Sequence, residues 1–224
     1  MMENSENTIF PKPFYFMVFK VLTTEDRLKG EIVKNLFSND VSGFKNFLET
    51  QKGFRFAGWD LQINGGYKVD LEGIENSNRL KRIRVLSNGS LIIQGAIIHD
   101  FLCWGNENDR IHTLGLIEFT YNGVDTLKKM LEFIDNPQKV EYAAGFVGLD
   151  KSQHFIVPGD ITSTFPSRDK KYLTNSEAQF SGVFNDLQET TGKLTYEITE
   201  KVYRMFGLTQ ESIPYVSSDE SGPA

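Results

Sequence analysis

The sequence predicts an α+β fold in which an antiparallel meander of strands is flanked by helices within a single domain. Three observations support this prediction. Apolar residues recur at helical spacing in several segments, other segments are short, aromatic and β-branched, and an Asn-Gly pair, Asn88–Gly89, separates two of these β-rich runs. With 224 residues, 39% of them hydrophobic, the chain is long enough to bury a core of its own.

Composition sets the expected domain limits. Residues 1–12 are polar and contain prolines, which predicts a flexible N-terminus, and residues 213–224 have the composition of a disordered tail. Residues 13–212 contain no linker that would divide them. We therefore expect one α+β domain over that range.

The first half of the chain supplies the predicted meander. Residues 13–22 are typical of a buried strand, and two capped amphipathic helices follow, over residues 24–37 and 41–52, the second ended by Gly53. After them the pattern predicts two hairpins. The first joins residues 54–63 to 67–74 through Asn64–Gly66, and the second joins residues 80–86 to 91–98 through a type I′ turn at Asn88–Gly89.

The second half alternates helices and strands. A helix is expected over residues 115–134, before Pro137, and Gly123 within it predicts a close contact with another helix. Residues 139–149 and 153–159 are predicted to pair as strands, and 158–177 to form a long polar loop. A last strand over 179–187 and an amphipathic helix over 194–206, capped by Gly207, complete the prediction.

Charge and cysteine usage restrict the class of protein. The net charge of −6 argues against nucleic acid or an anionic membrane as the main partner, since both attract positive surfaces. Glu3 and Glu6 stand where a secretory signal carries positive charge, and no apolar run is long enough to span a membrane. The single cysteine, Cys103, suits a reducing compartment. We expect a cytoplasmic protein.

His99, Cys103 and His112 lie within fourteen residues and raise three alternatives. With Asp100 or Asp109 they could hold a metal ion, since their types and spacing are acceptable for zinc. Cys103 could pair with a histidine as a nucleophile, although the acidic neighbourhood disfavours a thiolate. Cys103 could also be a small buried hydrophobe beside an exposed turn, which is the interpretation we adopt. We therefore assign no metal ligand and no catalytic residue here.

A second group of carboxylates supports an alternative function. Asp70 and Glu72 are two apart in a predicted strand, and Asp60 lies upstream, as in metal-dependent hydrolases and nucleases. However, no lysine follows Glu72 where such nucleases commonly carry one. Surface or cross-strand carboxylates are the competing interpretation.

The predicted ligand-binding residues are Arg82, Arg84, Tyr67 and Trp59. Arg82 and Arg84 share one face of a strand, and two guanidinium groups side by side can bind a phosphorylated ligand. If the neighbouring hairpin pairs with that strand, Tyr67 and Trp59 could add stacking area. The competing interpretation is a solvated strand whose charges prevent edge-to-edge pairing.

The order of Gly58–Trp59, the hairpin at Gly89 and the helix with Glu118–Phe119 resembles a known arrangement. It is similar to the C-terminal accessory region that follows the Schlafen/AlbA-type domain in bacterial proteins described as ATP- or DNA-binding. The likeness covers residues 54–157. The AlbA-type segment itself is absent, so the resemblance implies an accessory or sensing module and transfers no catalytic residue.

Together these features predict a non-enzymatic cytoplasmic module without a cofactor. No G-x-S-x-G, Walker or dinucleotide motif is found in the sequence. We expect the module to bind a partner protein or a small anionic ligand on its sheet, as a monomer or a homodimer, in a bacterial regulatory or defence system. The alternative is a metal-dependent hydrolase or nuclease that uses Asp60, Asp70 and Glu72, or the cluster of His99, Cys103 and His112.

Overall fold

The computed structural model describes residues 10–22, 41–49, 59–61, 63, 65–70, 72–99, 101–103, 108–133, 137–158, 169–174 and 178–213. These residues contain nine strands, three α-helices and one short 3-10 helix, Gln210–Ser212. The strands are β1 (Phe14–Leu22), β2 (Gly66–Asp70), β3 (Gly73–Ser77), β4 (Lys81–Leu86), β5 (Ser90–Ala96), β6 (Lys139–Val147), β7 (Phe155–Ile156), β8 (Lys171–Tyr172) and β9 (Gln179–Phe184). The helices are α1 (Val41–Glu49), α2 (Thr113–Leu131) and α3 (Thr191–Met205).

Seven strands form one antiparallel sheet in the order β2-β3-β4-β5-β1-β6-β9. The aromatic strand β1 lies inside the sheet, with β5 on one side and β6 on the other, which explains why its sequence is apolar almost throughout. Strands β7 and β8 pair separately. The sheet therefore exposes two edge strands in the described part of the chain, β2 and β9.

The helices pack on one face of this sheet. Alternate residues of β1, including Tyr15, Met17 and Phe19, are fully buried on that side. The hydroxyl groups of Tyr15 and Thr120 of α2 are 3.2 Å apart in a buried hydrogen bond. A β-carbon on Gly123 would lie 2.6 Å from Cε of Met17, so α2 lies close against β1 there. The close contact predicted at Gly123 is thus with a strand, and a helix partner at that point was the wrong expectation.

The other two helices extend the same layer. α3 packs against α2, and its apolar stripe is buried. α1 contacts β2, since the rings of Phe44 and Tyr67 are 6.2 Å apart and Tyr67 points to the helix side of its strand. We call the opposite side the outer face; its residues include Phe16, Val18, Lys20, Arg82, Arg84, Ile92, Gln94, Glu141, Ala143, Ser181 and Val183.

The predicted fold class is confirmed, as a mixed α+β structure with an antiparallel meander and flanking helices. Five predicted elements occur close to their predicted positions; they are the strand at 13–22, the start of the helix at 41–52, the long helix at 115–134, the last strand and the last helix. Gly207 takes a φ of 70°, as a residue that ends a helix through the left-handed region does.

The first hairpin was predicted in the wrong place. β2 and β3 together occupy residues 66–77, and Asp70 pairs with Gly73, so the chain reverses where one strand was expected. The carboxylate of Asp70 accepts the N–H groups of Glu72 and Gly73, at 3.0 Å each, which closes the turn. Residues 59–61 and 63 form no strand, and residues 54–58 lie outside the described residues.

The second hairpin exists, but its turn differs from the prediction. The N–H of Gly89 donates to the carbonyl of Leu86 at 2.9 Å, so Ser87 and Asn88 are the two corner residues, and Gly89 follows them with a φ of 80°. This is the arrangement of a three-residue loop with a glycine bulge. A two-residue type I′ turn centred on Asn88–Gly89 is therefore wrong.

The strand predicted at residues 139–149 is β6, but its partners are β1 and β9. The short strand near residue 155 pairs with β8 instead. Three predicted segments lie outside the described residues; they are the helix over 24–37, most of the loop over 158–177 and the tail after 213. Phe10, within the segment expected to be flexible, is buried against Phe14, with ring centroids 5.4 Å apart. None of the described helices is long and apolar enough to cross a lipid bilayer.

Candidate functional site

Arg82 and Arg84 lie side by side on the outer face of β4, as their spacing predicts. Both are held by carboxylates. Nη2 of Arg84 donates to both oxygens of Asp70, at 3.0 and 2.9 Å, and to Glu72 at 3.0 Å. Nη2 of Arg82 donates to Glu75 at 2.6 Å, the length of a strong charge-assisted hydrogen bond.

These ion pairs neutralise the arginine pair. Desolvation disfavours the charged form of Asp70, but the N–H of Glu72 and the guanidinium of Arg84 outweigh it, so the pKa of Asp70 is lowered. The carboxylate therefore stays charged beside Arg84 at neutral pH. A phosphate that binds this face has to compete with carboxylates already in place.

Trp59 and Tyr67 lie on the opposite side of the sheet from the arginines. The indole N–H of Trp59 donates to the carbonyl of Phe101 at 3.0 Å, and its ring lies 4.8 Å from that of His112. Tyr67 faces α1 because successive residues of a strand point to opposite sides, and Lys68 takes the outer position. The four predicted ligand-binding residues are thus not brought together in one site.

His99 and Cys103 both bind Asn108, and His112 binds elsewhere. The amide oxygen of Asn108 accepts the backbone N–H of His99 at 3.0 Å, and Sγ of Cys103 donates to the Asn108 carbonyl at 3.1 Å. His112 precedes α2, and its Nδ1 accepts the N–H of Gly115 at 3.2 Å. Over the described ranges, no group of three His, Cys, Asp or Glu residues is arranged to hold a metal ion.

The protonation of these groups disfavours nucleophilic chemistry. Burial, together with the nearby Asp109 carboxylate, raises the pKa of Cys103 to about 12, so the thiol stays protonated at neutral pH. Burial and the adjacent Arg110 lower the pKa of His112 to about 4, so its imidazole is neutral. A neutral Nδ1 is the form that can accept the hydrogen bond from Gly115.

The three carboxylates of the alternative function are divided between the two faces of the sheet. Asp60 holds Lys81, whose Nζ lies 3.1 Å from Oδ1 and 2.8 Å from the Asp60 carbonyl on the helix side. Burial lowers the pKa of Lys81, and the Asp60 carboxylate opposes that shift. Asp70 and Glu72 are bound to Arg84 on the outer face. Asp60 therefore does not share a site with the other two.

A groove on the outer face was not predicted. It has a volume of about 420 Å³ and runs over β1, β6 and β9. Val18, Ala143 and Val183 give it an apolar floor, and the side chains of Lys20 and Glu141, 3.6 Å apart, border it. The signal in the sequence was the run of apolar residues in β1, because Phe16 and Val18 are apolar on the side that no described helix covers.

A second groove, of about 390 Å³, lies on the other side of β9, beside α3. Four carboxylate-bearing residues line it together with Lys193; they are Asp186, Glu189, Glu197 and Glu200. Glu189 pairs with Lys193, Glu197 with Lys201 and Glu200 with Arg204, and only Asp186 has no ion pair within the described part of the chain. Next to it, the hydroxyl of Tyr142 donates to Glu197 at 2.6 Å and contacts Lys201. Burial first, and then Glu197, raise the pKa of Tyr142, so this hydroxyl remains a donor.

Comparison of the chain with models of known protein families, with curated proteins and with solved structures gives no match.

Proposed function

We propose that this chain is a non-enzymatic cytoplasmic module that binds a partner protein through the outer face of its sheet. The observation that carries the proposal is the apolar centre of that face. Phe16, Val18, Ile92 and Ala143 are neighbours across β5, β1 and β6, and all four are only half-buried. An antiparallel sheet with helices on one side usually carries polar residues on the other.

The surroundings of this centre support the proposal of an interaction surface. Charged residues border it, with Lys20 and Glu141 at one end and the ion pairs of Arg82 and Arg84 toward β3. Apolar patches with a polar rim commonly mark protein-binding sites. The resemblance of residues 54–157 to an accessory region also supports a binding module. It suggests that the module belongs to a bacterial regulatory or defence system, in which it acts as a monomer or a homodimer.

A metal-dependent hydrolase or nuclease finds less support. Asp70 and Glu72 hold Arg84, Asp60 holds Lys81, and His112 accepts a backbone N–H at the start of α2. Each of these groups would have to leave its partner before it could bind a metal ion. The geometry therefore favours binding over hydrolysis as the function to test first.

Lysine footprinting tests the proposal. Ligands are selected from a displayed peptide library on the wild-type chain, and acetylation of individual lysines is measured by mass spectrometry with and without ligand. Lys20 has a half-exposed side chain at the edge of the groove, and Lys45 is exposed on α1. We expect ligand to slow acetylation at Lys20 and to leave Lys45 unchanged. Equal labelling of Lys20 with and without ligand would contradict the proposed surface.

A small anionic ligand at Arg82 and Arg84 remains a prediction of its own. Nucleotides and inorganic phosphate are to be screened by thermal shift on the wild type and on the double variant Arg82→Ala/Arg84→Ala. A ligand at the arginines raises the melting temperature of the wild type only. This increase becomes smaller as the salt concentration rises, because the arginine pair is partly exposed. A ligand that stabilises both proteins equally binds elsewhere.

A further inference from the structure

The edge of β9 that points away from β6 carries backbone N–H and C=O groups in a fixed pattern. The N–H of Phe146 in β6 donates to the carbonyl of Ala178 at 2.7 Å. Because bonded and non-bonded pairs alternate in an antiparallel ladder, the even-numbered residues of β9 direct their backbone groups to β6. The N–H and C=O groups of Gln179, Ser181 and Val183 therefore point away from the sheet. No other described strand pairs with them.

This edge lacks the features that usually prevent strand addition. Natural edge strands carry charges, prolines or bulges that block pairing with another chain. β9 consists of uncharged residues without proline, and its Val183 side chain is 37% exposed. β2, at the opposite edge, carries Lys68 and Asp70. The two edges of the sheet thus differ, and β9 is the one suited to accept a strand.

The grooves on the two sides of β9 differ in chemistry. On the outer face, Val18, Ala143 and Val183 form an apolar floor. On the helix side, four carboxylates line the groove beside α3, and three of them already pair with Lys193, Lys201 and Arg204. Asp186 is the carboxylate of this groove that no cation of the described residues neutralises. A strand added to β9 continues the pleat of the sheet, so its side chains alternate between these two environments.

From this arrangement we propose that β9 accepts an extended segment of a partner protein as an eighth strand of the sheet. Apolar side chains of that segment lie on the outer face, and a lysine or arginine side chain at an alternate position meets Asp186 on the helix side. This inference rests on the proposed binding function and specifies its partner. The backbone of Gln179, Ser181 and Val183 supplies the hydrogen bonds, and the two grooves supply the specificity.

A second copy of the chain fits this edge less well. If two β9 strands paired antiparallel within one continuous sheet, Phe180, Gly182 and Phe184 of each would lie on the helix side. They would bring no positive charge to Asp186 of the other copy. Charge complementarity therefore favours a basic segment of another protein.

The test uses three synthetic peptides of equal length and the full chain. One alternates lysine with valine, one alternates glutamate with valine, and one has the composition of the first with its lysines and valines in separate blocks. Dissociation constants are measured by fluorescence anisotropy, and amide hydrogen exchange is followed at β9. We expect the alternating Lys–Val peptide to bind at least about tenfold more tightly than the other two. It should also slow exchange at Gln179, Ser181 and Val183.

Two kinds of variant locate the contact. Ser181→Pro removes the central outward N–H, and Ser181→Thr retains it as the matched control. We expect the first to weaken binding by about tenfold and the second to leave it unchanged. Asp186→Asn is a surface change that does not depend on the strand tolerating proline. It should weaken binding of the Lys–Val peptide and have no effect on a Thr–Val peptide.

Each contrary result has a distinct meaning. If the Lys–Val peptide does not bind, or binds no better than the Glu–Val peptide, the proposed partner chemistry is wrong. If it binds but Ser181→Pro and Asp186→Asn have no effect while Val18→Lys abolishes binding, the edge proposal is wrong and the outer-face function stands. Slow amide exchange at the β9 edge in the absence of peptide would show that the chain itself already covers this edge. A dimer in sedimentation that Ser181→Pro dissociates would show that a second copy occupies it. Either result would overturn the proposed partner.

Discussion

The indole of Trp59 occupies the space in which a β-carbon of Gly115 would lie. A methyl group there would be 2.7 Å from Cε2 and 2.8 Å from Nε1 of the ring. The same nitrogen donates to the carbonyl of Phe101, and His112 packs against the ring. Trp59 thus joins the start of α2 to the segment after β5.

Gly115→Ala should therefore destabilise the fold, although alanine favours helices. The rigid indole has to move, and overpacking of this kind typically costs about 1–3 kcal/mol. Urea unfolding would measure the loss. Gly66→Ala is the control, because nothing lies within 4 Å of its new methyl group, and it should have little effect. Equal stability of the two variants would contradict the contact.

Gly89 supplies a second test of a local conformation. Its φ of 80° lies in the left-handed region, which a β-branched residue adopts at a cost of about 1–2 kcal/mol. We expect Gly89→Val to lower the free energy of unfolding by that amount. Gly89→Asn should cost less, because asparagine tolerates this region. If valine and asparagine were equally tolerated, the turn would not have the conformation described.

His112 makes stability depend on pH. Its pKa in the folded chain is about 4, below the 6.5 of an unperturbed histidine, because burial and Arg110 disfavour the charged ring. Between these values the unfolded chain binds more protons. The contribution of His112 is therefore complete above pH 6.5 and is lost as the pH falls toward 4, by up to about 3 kcal/mol.

Unfolding free energies of the wild type and His112→Asn at pH 7 and pH 5 would isolate this contribution. Asparagine can cap α2 but does not titrate in this range. We expect the wild type to lose more stability than the variant between the two pH values. The same loss in both proteins would mean that His112 is not held neutral by its surroundings.

The sequence predicted what depends on local pattern. The buried strand β1, the helix α2 and the hairpin at Gly89 follow from periodicity and turn residues that act over a few positions. The turn between β2 and β3 was missed because residues 67–74 alternate like a single strand. What reverses the chain there is the Asp70 carboxylate, which accepts two backbone N–H groups.

The candidate site could be predicted only in part, because it depends on which strands become neighbours. The spacing of Arg82 and Arg84 placed them on one face, but their pairing with Asp70, Glu72 and Glu75 depends on the position of the missed turn. The outer groove joins β1, β6 and β9, which are far apart in the chain. No local pattern indicates that Val18 and Ala143 are neighbours.

The central claim is that the outer face is the binding surface, and the most direct test is the affinity of a ligand selected on the wild-type chain. Val18 lines the outer groove, and Val69, which is 55% exposed on β2, points to the helix side. We predict that Val18→Lys raises the dissociation constant by at least about tenfold, or about 1.4 kcal/mol, and that Val69→Lys leaves it unchanged. Equal affinity of the wild type and Val18→Lys, with both variants folded, would contradict the account.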